Sequence, residues 1–189
     1  DKTGNRIIGF GRYAGIVGCY NGFLAFGLKH NLYSLKAANK CADRKEVEEE
    51  LKKIVFNKNT KVILSGYGRV GHGAREILDQ LPIKEVSPRE FLENDFEEAV
   101  FTHLELEDYY ARKSDGGFNK TEFYSSPELY QSTFSKYLIF ADMYIPCHYW
   151  SDKADFIFTR DDLKKENVKL SVVADISCDI DGPIASTLR

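Results

Sequence analysis

The densest chemistry in the chain lies in three glycines spaced two and three apart, in the run Gly66-Tyr67-Gly68-Arg69-Val70-Gly71. The run directly follows the apolar stretch Lys61-Val62-Ile63-Leu64-Ser65. It opens an amphipathic stretch with Ala74, Ile77, Leu78 and Leu81 on one side. A strand ending in such a loop, with a helix starting from it, is a ready anion site: the helix N-terminus offers unpaired N–H groups and the positive end of its dipole. Gly66 permits the tight turn, Gly68 lets a pyrophosphate approach bare backbone, and Gly71 lets helix and strand pack closely. A GxGxxG alone says little, but the strand before it and the helix after it are the context the motif requires. The reading is a Rossmann-type phosphate loop that holds a nicotinamide dinucleotide.

The residue that ends the next strand, about 20 positions after the first glycine, reads the ribose in such domains, and an acid there suits NAD. By register that position is Ser87, with Arg89 beside it, while Glu85 sits one strand step back from the tip. A hydroxyl and a guanidinium suit a 2′-phosphate, because Arg pairs bidentately with phosphate and the repelling acid is absent. NADP(H) is therefore expected over NAD(H). The alternative is that Arg89 merely opens a helix and pairs with Glu93. Asp175 and Asp179 fall at the tip of the last strand, where sheets of this class hold ligands. Either could hold the nicotinamide ribose or orient an amine, with Asp179 the candidate catalytic carboxylate, whereas Asp181 reads as a turn residue. His72 reads as a solvated helix-face residue and His30 as a helix-end residue. His103 follows the third strand on the ligand edge.

The elements that must position these residues alternate strand and helix. The expected fold class is therefore α/β, a doubly wound, mostly parallel sheet behind a long N-terminal interdomain helix. Residues 7–30 read as that helix, with Ile16, Val17, Tyr20, Phe23, Leu24 and Leu28 in helical period. Its many glycines weaken helix propensity and make sense if something packs closely against it. Asp43 and Glu46 form a capping box for a helix over 43–55. Strands are expected at 61–65, 83–86, 100–104, 142–147 and 170–176. Helices are expected at 70–80, where Pro82 ends the run, and from Thr159 to Leu163. Residues 107–140 read as an aromatic insertion of short helices and turns, whose tyrosines and Trp150 are core. The division expected is 1–57 for packing helices and 58–189 for the dinucleotide domain.

Composition narrows the partners. The 189 residues carry 43% hydrophobic residues and a net charge of -3 with both signs interspersed, which argues against a nucleic-acid or membrane surface. Cys19, Cys41, Cys147 and Cys178 show no CxxC spacing, so reduced thiols in a cytoplasmic protein are expected, with no metal. The polar start and the stop just after a strand and turn read as those of an excised piece.

Four stretches resemble the saccharopine dehydrogenase family, in its lysine-ketoglutarate reductase branch and within the wider alanine dehydrogenase and transhydrogenase fold. They are Phe10 to Gly18, Gly66 to Ala74, Phe118 to Tyr124 with Pro127 to Tyr130 and Tyr149-Trp150 following, and Ala174 to Gly182. Together they span nearly the whole chain. The resemblance implies reductive joining of lysine and 2-oxoglutarate, or its reverse, with hydride moving to or from the imine carbon. It implies that a preceding domain supplies the catalytic Lys and His residues and much of the amino-acid site, so that this chain alone is inactive. By position Arg69 and Val70 contact the pyrophosphate, and Cys147, His148 and Tyr149 line the nicotinamide and adenosine groove. An alanine-dehydrogenase-like activity, a non-catalytic dinucleotide sensor and an adenosyl-cofactor methyltransferase are the alternatives. The last would want an acid where Ser87 stands. The reading leaves room for a homo-oligomer.

Overall fold

The computed structural model describes residues 9–148, 150–177, 182–184 and 187. Its centre is a five-stranded sheet of β1 (Lys61–Ser65), β2 (Lys84–Glu85), β3 (Val100–Leu104), β6 (Met143–Pro146) and β7 (Val172–Val173). The order is β2-β3-β1-β6-β7, and every pairing is parallel. The α/β class with a parallel sheet is as expected. β3 takes the place beside β1, and β2 lies at the edge of the sheet. Two short strands, β4 (Tyr110–Arg112) and β5 (Tyr130–Ser132), form a separate antiparallel pair in the aromatic insertion.

Both faces of the sheet are covered, which is why β1 reads as an unbroken apolar run rather than an alternation. Period-two geometry then sends Val62 and Leu64 to one face and Ile63 to the other. The first face packs with Met143, Ile145, Tyr20, Phe23 and Ile77, and the second with Tyr109, Phe134, Tyr144 and Phe158. One charge is buried at the start of β1. The Lys61 ammonium donates to the carbonyls of Phe91 at 2.8 Å and Asn94 at 2.6 Å. It also lies over the rings of Phe91, Phe96 and Phe140. Burial pulls its pKa down.

The phosphate-loop helix α3 (Arg69–Leu78) is clamped by α1 (Gly11–His30). The glycines that weaken α1 face its neighbours. A Cβ at Gly15 would stand 1.9 Å from the Val70 carbonyl oxygen, and one at Gly22 would stand 2.6 Å from Ala174 Cβ. From the other side, a Cβ at Gly73 would meet the Arg12 carbonyl oxygen at 1.9 Å. The two backbones therefore touch. A polar clasp closes the contact: Glu76 accepts from Arg12 at 2.5 and 2.9 Å and pairs with Arg44 of α2 (Arg44–Leu51) at 2.8 Å. The Arg12 hydrogen bond first, and Arg44 with it, hold the Glu76 carboxyl down at about 2.

Several boundaries differ from the sequence reading for local reasons. Asp43 caps α2 by accepting from the Glu46 N–H, but the helix stops at Leu51, where Lys52 to Ile54 bond back three residues instead of four. The segment from Thr159 holds one 3-10 turn, Asp162–Lys164, with Thr159 and Asp162 bonded to each other. Only Val172 and Val173 of the last expected strand pair with a neighbour. Replacing Gly15 with Ala forces α1 off α3. Overpacking of that kind costs roughly 3 kcal/mol, which for a chain of this size lowers Tm by roughly 6–12 °C. A thermal melt of Gly15→Ala within 2 °C or so of the parent would show that the helices have slack to separate.

Candidate functional site

The C-terminal edge of the sheet carries the glycine loop. β1 ends at Ser65, and the chain turns at Gly66 with φ +96°, a conformation a side chain resists. A Cβ there would also strike Cys147 at 2.6 Å, because Cys147 N–H donates to the Ser65 carbonyl beyond the tip of β6. Gly68 is the N-cap of α3, with no side chain capping the first turn. A Cβ at Gly68 would meet nothing within 4 Å, whereas one at Gly71 would stand 1.9 Å from the Gly66 carbonyl oxygen. So Gly71 is needed by the protein itself, while the space over Gly68 is left open. The open space faces a cavity of about 310 Å³. Gly66 to Gly68 form its floor, Leu104 to Leu106 one wall and Cys147-His148 the other, and Tyr109, Lys120 and Tyr124 also face it.

A bare helix N-terminus, a glycine with vacant space over it and a cavity at the sheet's C-terminal edge fit a phosphate group. Tyr67, inside the loop, is braced toward β3. It stacks on His103 with ring centroids 3.7 Å apart and planes at 4°, and its hydroxyl donates to the His103 carbonyl at 3.0 Å. His103 Nε2 lies 2.8 Å from the Gly66 carbonyl, so it carries the proton and donates. Burial lowers the His103 pKa. This residue shapes the loop.

On the other wall, Ser65 Oγ lies 2.8 Å from the Tyr144 hydroxyl and 3.0 Å from His148 Nδ1. The three groups form one hydrogen-bonded chain whose direction follows the His148 tautomer, and it engages Nδ1 and leaves out Nε2. That atom is buried and has no partner among the described residues. Burial pulls His148 down to about 4, so the ring is neutral at pH 7. Burial likewise pushes the Cys147 thiol up to about 12, which rules it out as a thiolate nucleophile at neutral pH.

The structure gathers Gly66, Gly68, Cys147 and His148 around one cavity, with Gly71 beneath the loop. Asp175 is close enough for its charge to raise the pKa of both Cys147 and His148. Its carboxylate accepts from Ser177 at 2.7 Å and from Thr187. Arg69 is exposed and turned toward the start of α1, where a Cβ on Gly9 would meet its guanidinium at 2.6 Å, and Val70 packs against the core. Ser87 and Arg89 stand elsewhere. Ser87 forms a reciprocal cap with Glu90 at the start of α4 (Pro88–Glu93), and Arg89 pairs with Glu93 at 2.9 Å, in the arrangement weighed as the alternative for Arg89. With β3 between them, β2 runs two strand spacings, about 10 Å, from β1. Glu85 on β2 is held by Arg75 at 2.7 and 2.8 Å. Tyr149 and Asp179 lie outside the described residues. Sequence reasoning missed Glu105 and Lys120 and read Tyr124 as core, whereas Tyr124 is 61% exposed and borders the cavity, because these places follow from β3 neighbouring β1. The one available signal was the four-residue spacing of Lys120 and Tyr124, which puts them on one helical face. Among the described residues, no group of three His, Cys, Asp or Glu side chains could hold a metal, and no helix is long and apolar enough to cross a membrane.

Comparison with known proteins agrees with the resemblance read from the motifs. Over 97% of its length the chain is 26% identical to alpha-aminoadipic semialdehyde synthase, mitochondrial, of Mus musculus. Over 96% it is 26% identical to alpha-aminoadipic semialdehyde synthase of Arabidopsis thaliana. It spans only 24% and 20% of the length of those two relatives. No family model matches the chain.

Two outcomes follow from this geometry. Gly68→Val should abolish dinucleotide binding in a fluorescence titration and leave the melting temperature nearly unchanged, whereas Gly71→Val should unfold the loop. Retained binding by Gly68→Val would remove the phosphates from this loop. Separately, between pH 6.5 and about 4 the unfolded chain binds a proton at His148 that the folded chain does not. Stability therefore falls as pH drops through that window. His148→Leu should make the fall in Tm shallower there, and an unchanged slope would show that His148 titrates normally.

Proposed function

We propose that this chain, homologous along nearly its whole length to a segment of the alpha-aminoadipic semialdehyde synthases, is the dinucleotide-binding part of an amino-acid oxidoreductase of the lysine-ketoglutarate reductase type. The observation that carries the dinucleotide is the vacant space over Gly68, at the uncapped N-terminus of α3 and open to the cavity. The N–H groups of the first turn of α3 would hold the pyrophosphate, with the dipole adding its positive end. Gly66 and Gly71 keep loop and helix close enough for one phosphate group to reach both. The nicotinamide, when bound, would supply or accept hydride at the imine carbon formed between an amino acid and an oxo acid.

The chain's own residues shape and dry the site. His148, neutral and oriented by Ser65 and Tyr144, presents a wall that takes no proton at neutral pH. Asp175 adds a negative charge near Cys147 and His148, with its carboxylate accepting from Ser177 and Thr187, and would suit a ribose hydroxyl or a substrate ammonium. None of these is a good proton shuttle: a general acid or base works best with a pKa near the operating pH, and His148 is far below it. The acid–base groups of the reaction are proposed to lie in another part of a longer protein, which would also form the second wall of the cleft and exclude water from the hydride path.

In this reading the chain binds one reduced dinucleotide per molecule by isothermal titration, and absence of binding of either NADH or NADPH refutes it. Mixed with lysine, 2-oxoglutarate and reduced cofactor, or with pyruvate and ammonia, the chain alone should oxidise no cofactor above a protein-free blank. A rate in either mixture would place a complete active site within these residues.

A further inference from the structure

The insertion over the cavity is a loop tied back to its own neck. β4 and β5 pair antiparallel, and Arg112 stands opposite Tyr130 where the chain leaves the pair. From there it runs out to the short helix Lys120–Ser125 and returns. Six residues are too few to hold a helix in water by themselves, so tertiary contacts must place it. Lys120 and Tyr124, four apart, share the face that borders the cavity. Glu122, midway between them, points the opposite way, because each residue turns the helix by about 100°. It reaches back to the neck. Its carboxylate accepts from Arg112 Nε at 2.7 Å and from the Tyr130 hydroxyl. The Tyr130 oxygen also accepts from the Asn119 N–H at 3.1 Å, and the Asn119 side chain caps the helix by accepting from the Glu122 N–H at 3.0 Å. Arg112 Nη1 donates to Asp115 at 2.7 Å, and Asp115 accepts from the Gly117 N–H at 2.9 Å.

We infer that Arg112, Glu122 and Tyr130 form a latch that fixes the insertion helix over the cavity, and that Glu122 is thereby a positioning residue for the ligand; the inference rests on the dinucleotide reading above. Glu122 touches no part of the cavity. It acts by holding Lys120 and Tyr124 to it. Phe123, packed on Tyr110 and Tyr130, sets how close the helix lies to the core. Glu122 sets its rotation, and rotation decides whether Lys120 and Tyr124 border the cavity. The Tyr130 bond first, and Arg112 with it, hold the Glu122 carboxyl below the usual carboxylate range, so it is ionised at neutral pH. Its bonds to a guanidinium and a hydroxyl are therefore charge-assisted, the strong kind. A solvated ion pair alone would contribute little. Here one partner, Tyr130, is fully buried, which gives the carboxylate a fixed point to return to. Because Arg112 and Tyr130 come from the two facing strands, the middle of the loop is anchored to both sides of its neck at once.

Isothermal titration of this chain with NADH and with NADPH, beside a thermal melt of each variant, tests the latch. Glu122→Ala should weaken whichever dinucleotide the parent binds tighter by about tenfold, and Glu122→Gln, which keeps an acceptor, by about threefold or less. Lys120→Ala combined with Tyr124→Ala should also weaken it about tenfold. Adding Glu122→Ala to that pair should then change affinity by less than about twofold, because groups that act as one unit do not add. Where Glu122→Ala does not fold, Tyr130→Phe removes a single hydroxyl of the latch and should weaken binding about threefold. A lowered melting temperature with the parent's affinity, in Glu122→Ala or in Tyr130→Phe, makes the cluster purely structural and overturns the inference. So does a loss from Glu122→Ala that persists in full beside the two lining substitutions, and so does unaltered binding when only those two are made. Each of these results leaves the dinucleotide reading standing, since the parent binds and Gly68→Val does not. No binding of either dinucleotide by the parent refutes the underlying reading and this inference with it.

Discussion

Everything at the sheet edge depends on backbone meeting backbone without side chains between. α1 touches α3 through Gly15 and Gly73, and α3 touches the end of β1 through Gly71. These contacts set the start of α3 against the strand tip so that the first turn of the helix faces outward, uncapped, above Gly68. Wider helix spacing would move the N–H groups away from the loop. The conformational cost of so many glycines in one helix is real, and tertiary contact offsets it. The clasp of Arg12, Glu76 and Arg44 adds a charged fastening at the rim of the same contact.

The second constraint is the order of strands. With β3 seated between β1 and β2, the ligand edge is bounded by Leu104 and Glu105 on one side and by Cys147 and His148 on the other. The insertion grows directly from the tip of β3, so its helix Lys120–Ser125 is carried over the cavity by the strand that also forms the cavity wall. Its aromatic residues do two jobs. Tyr109, Tyr110, Phe123 and Tyr130 pack the second core, and Tyr124 is left at the surface over the cavity. Burial also sets the character of the walls: His103 and His148 are driven toward neutrality and the Cys147 thiol is kept protonated. The Cys147–His148 wall is therefore uncharged at neutral pH.

How much of this was legible in the chain is best judged residue by residue. The glycine loop was, because two of its glycines answer to nearby backbone: Gly66 to a turn at positive φ, and Gly71 to the Gly66 carbonyl. β1 and β3 were legible to the residue, since a strand covered on both faces is a short apolar run with sharp ends. The crowding of glycines on α1 announced a close neighbour, although the neighbour's identity came only with the fold. The helix expected over 43–55 and the strand expected over 170–176 came out shorter, because hydrophobic pattern continues past the point where hydrogen bonding changes.

What the sequence determined by itself, then, was the class of fold, the loop and the helix that opens from it, all matters of spacing along a chain. What only the tertiary structure decided was which strand lies next to β1, and with it which residues share the cavity. Ser87 and Glu105 both follow strands and both stand near a helix start, and nothing in their local sequence distinguishes them. Strand pairing is settled by packing between segments far apart in the chain. A crossover that skips one place in the sheet brought Glu105, and not Ser87, to the cavity edge without altering a single residue at either.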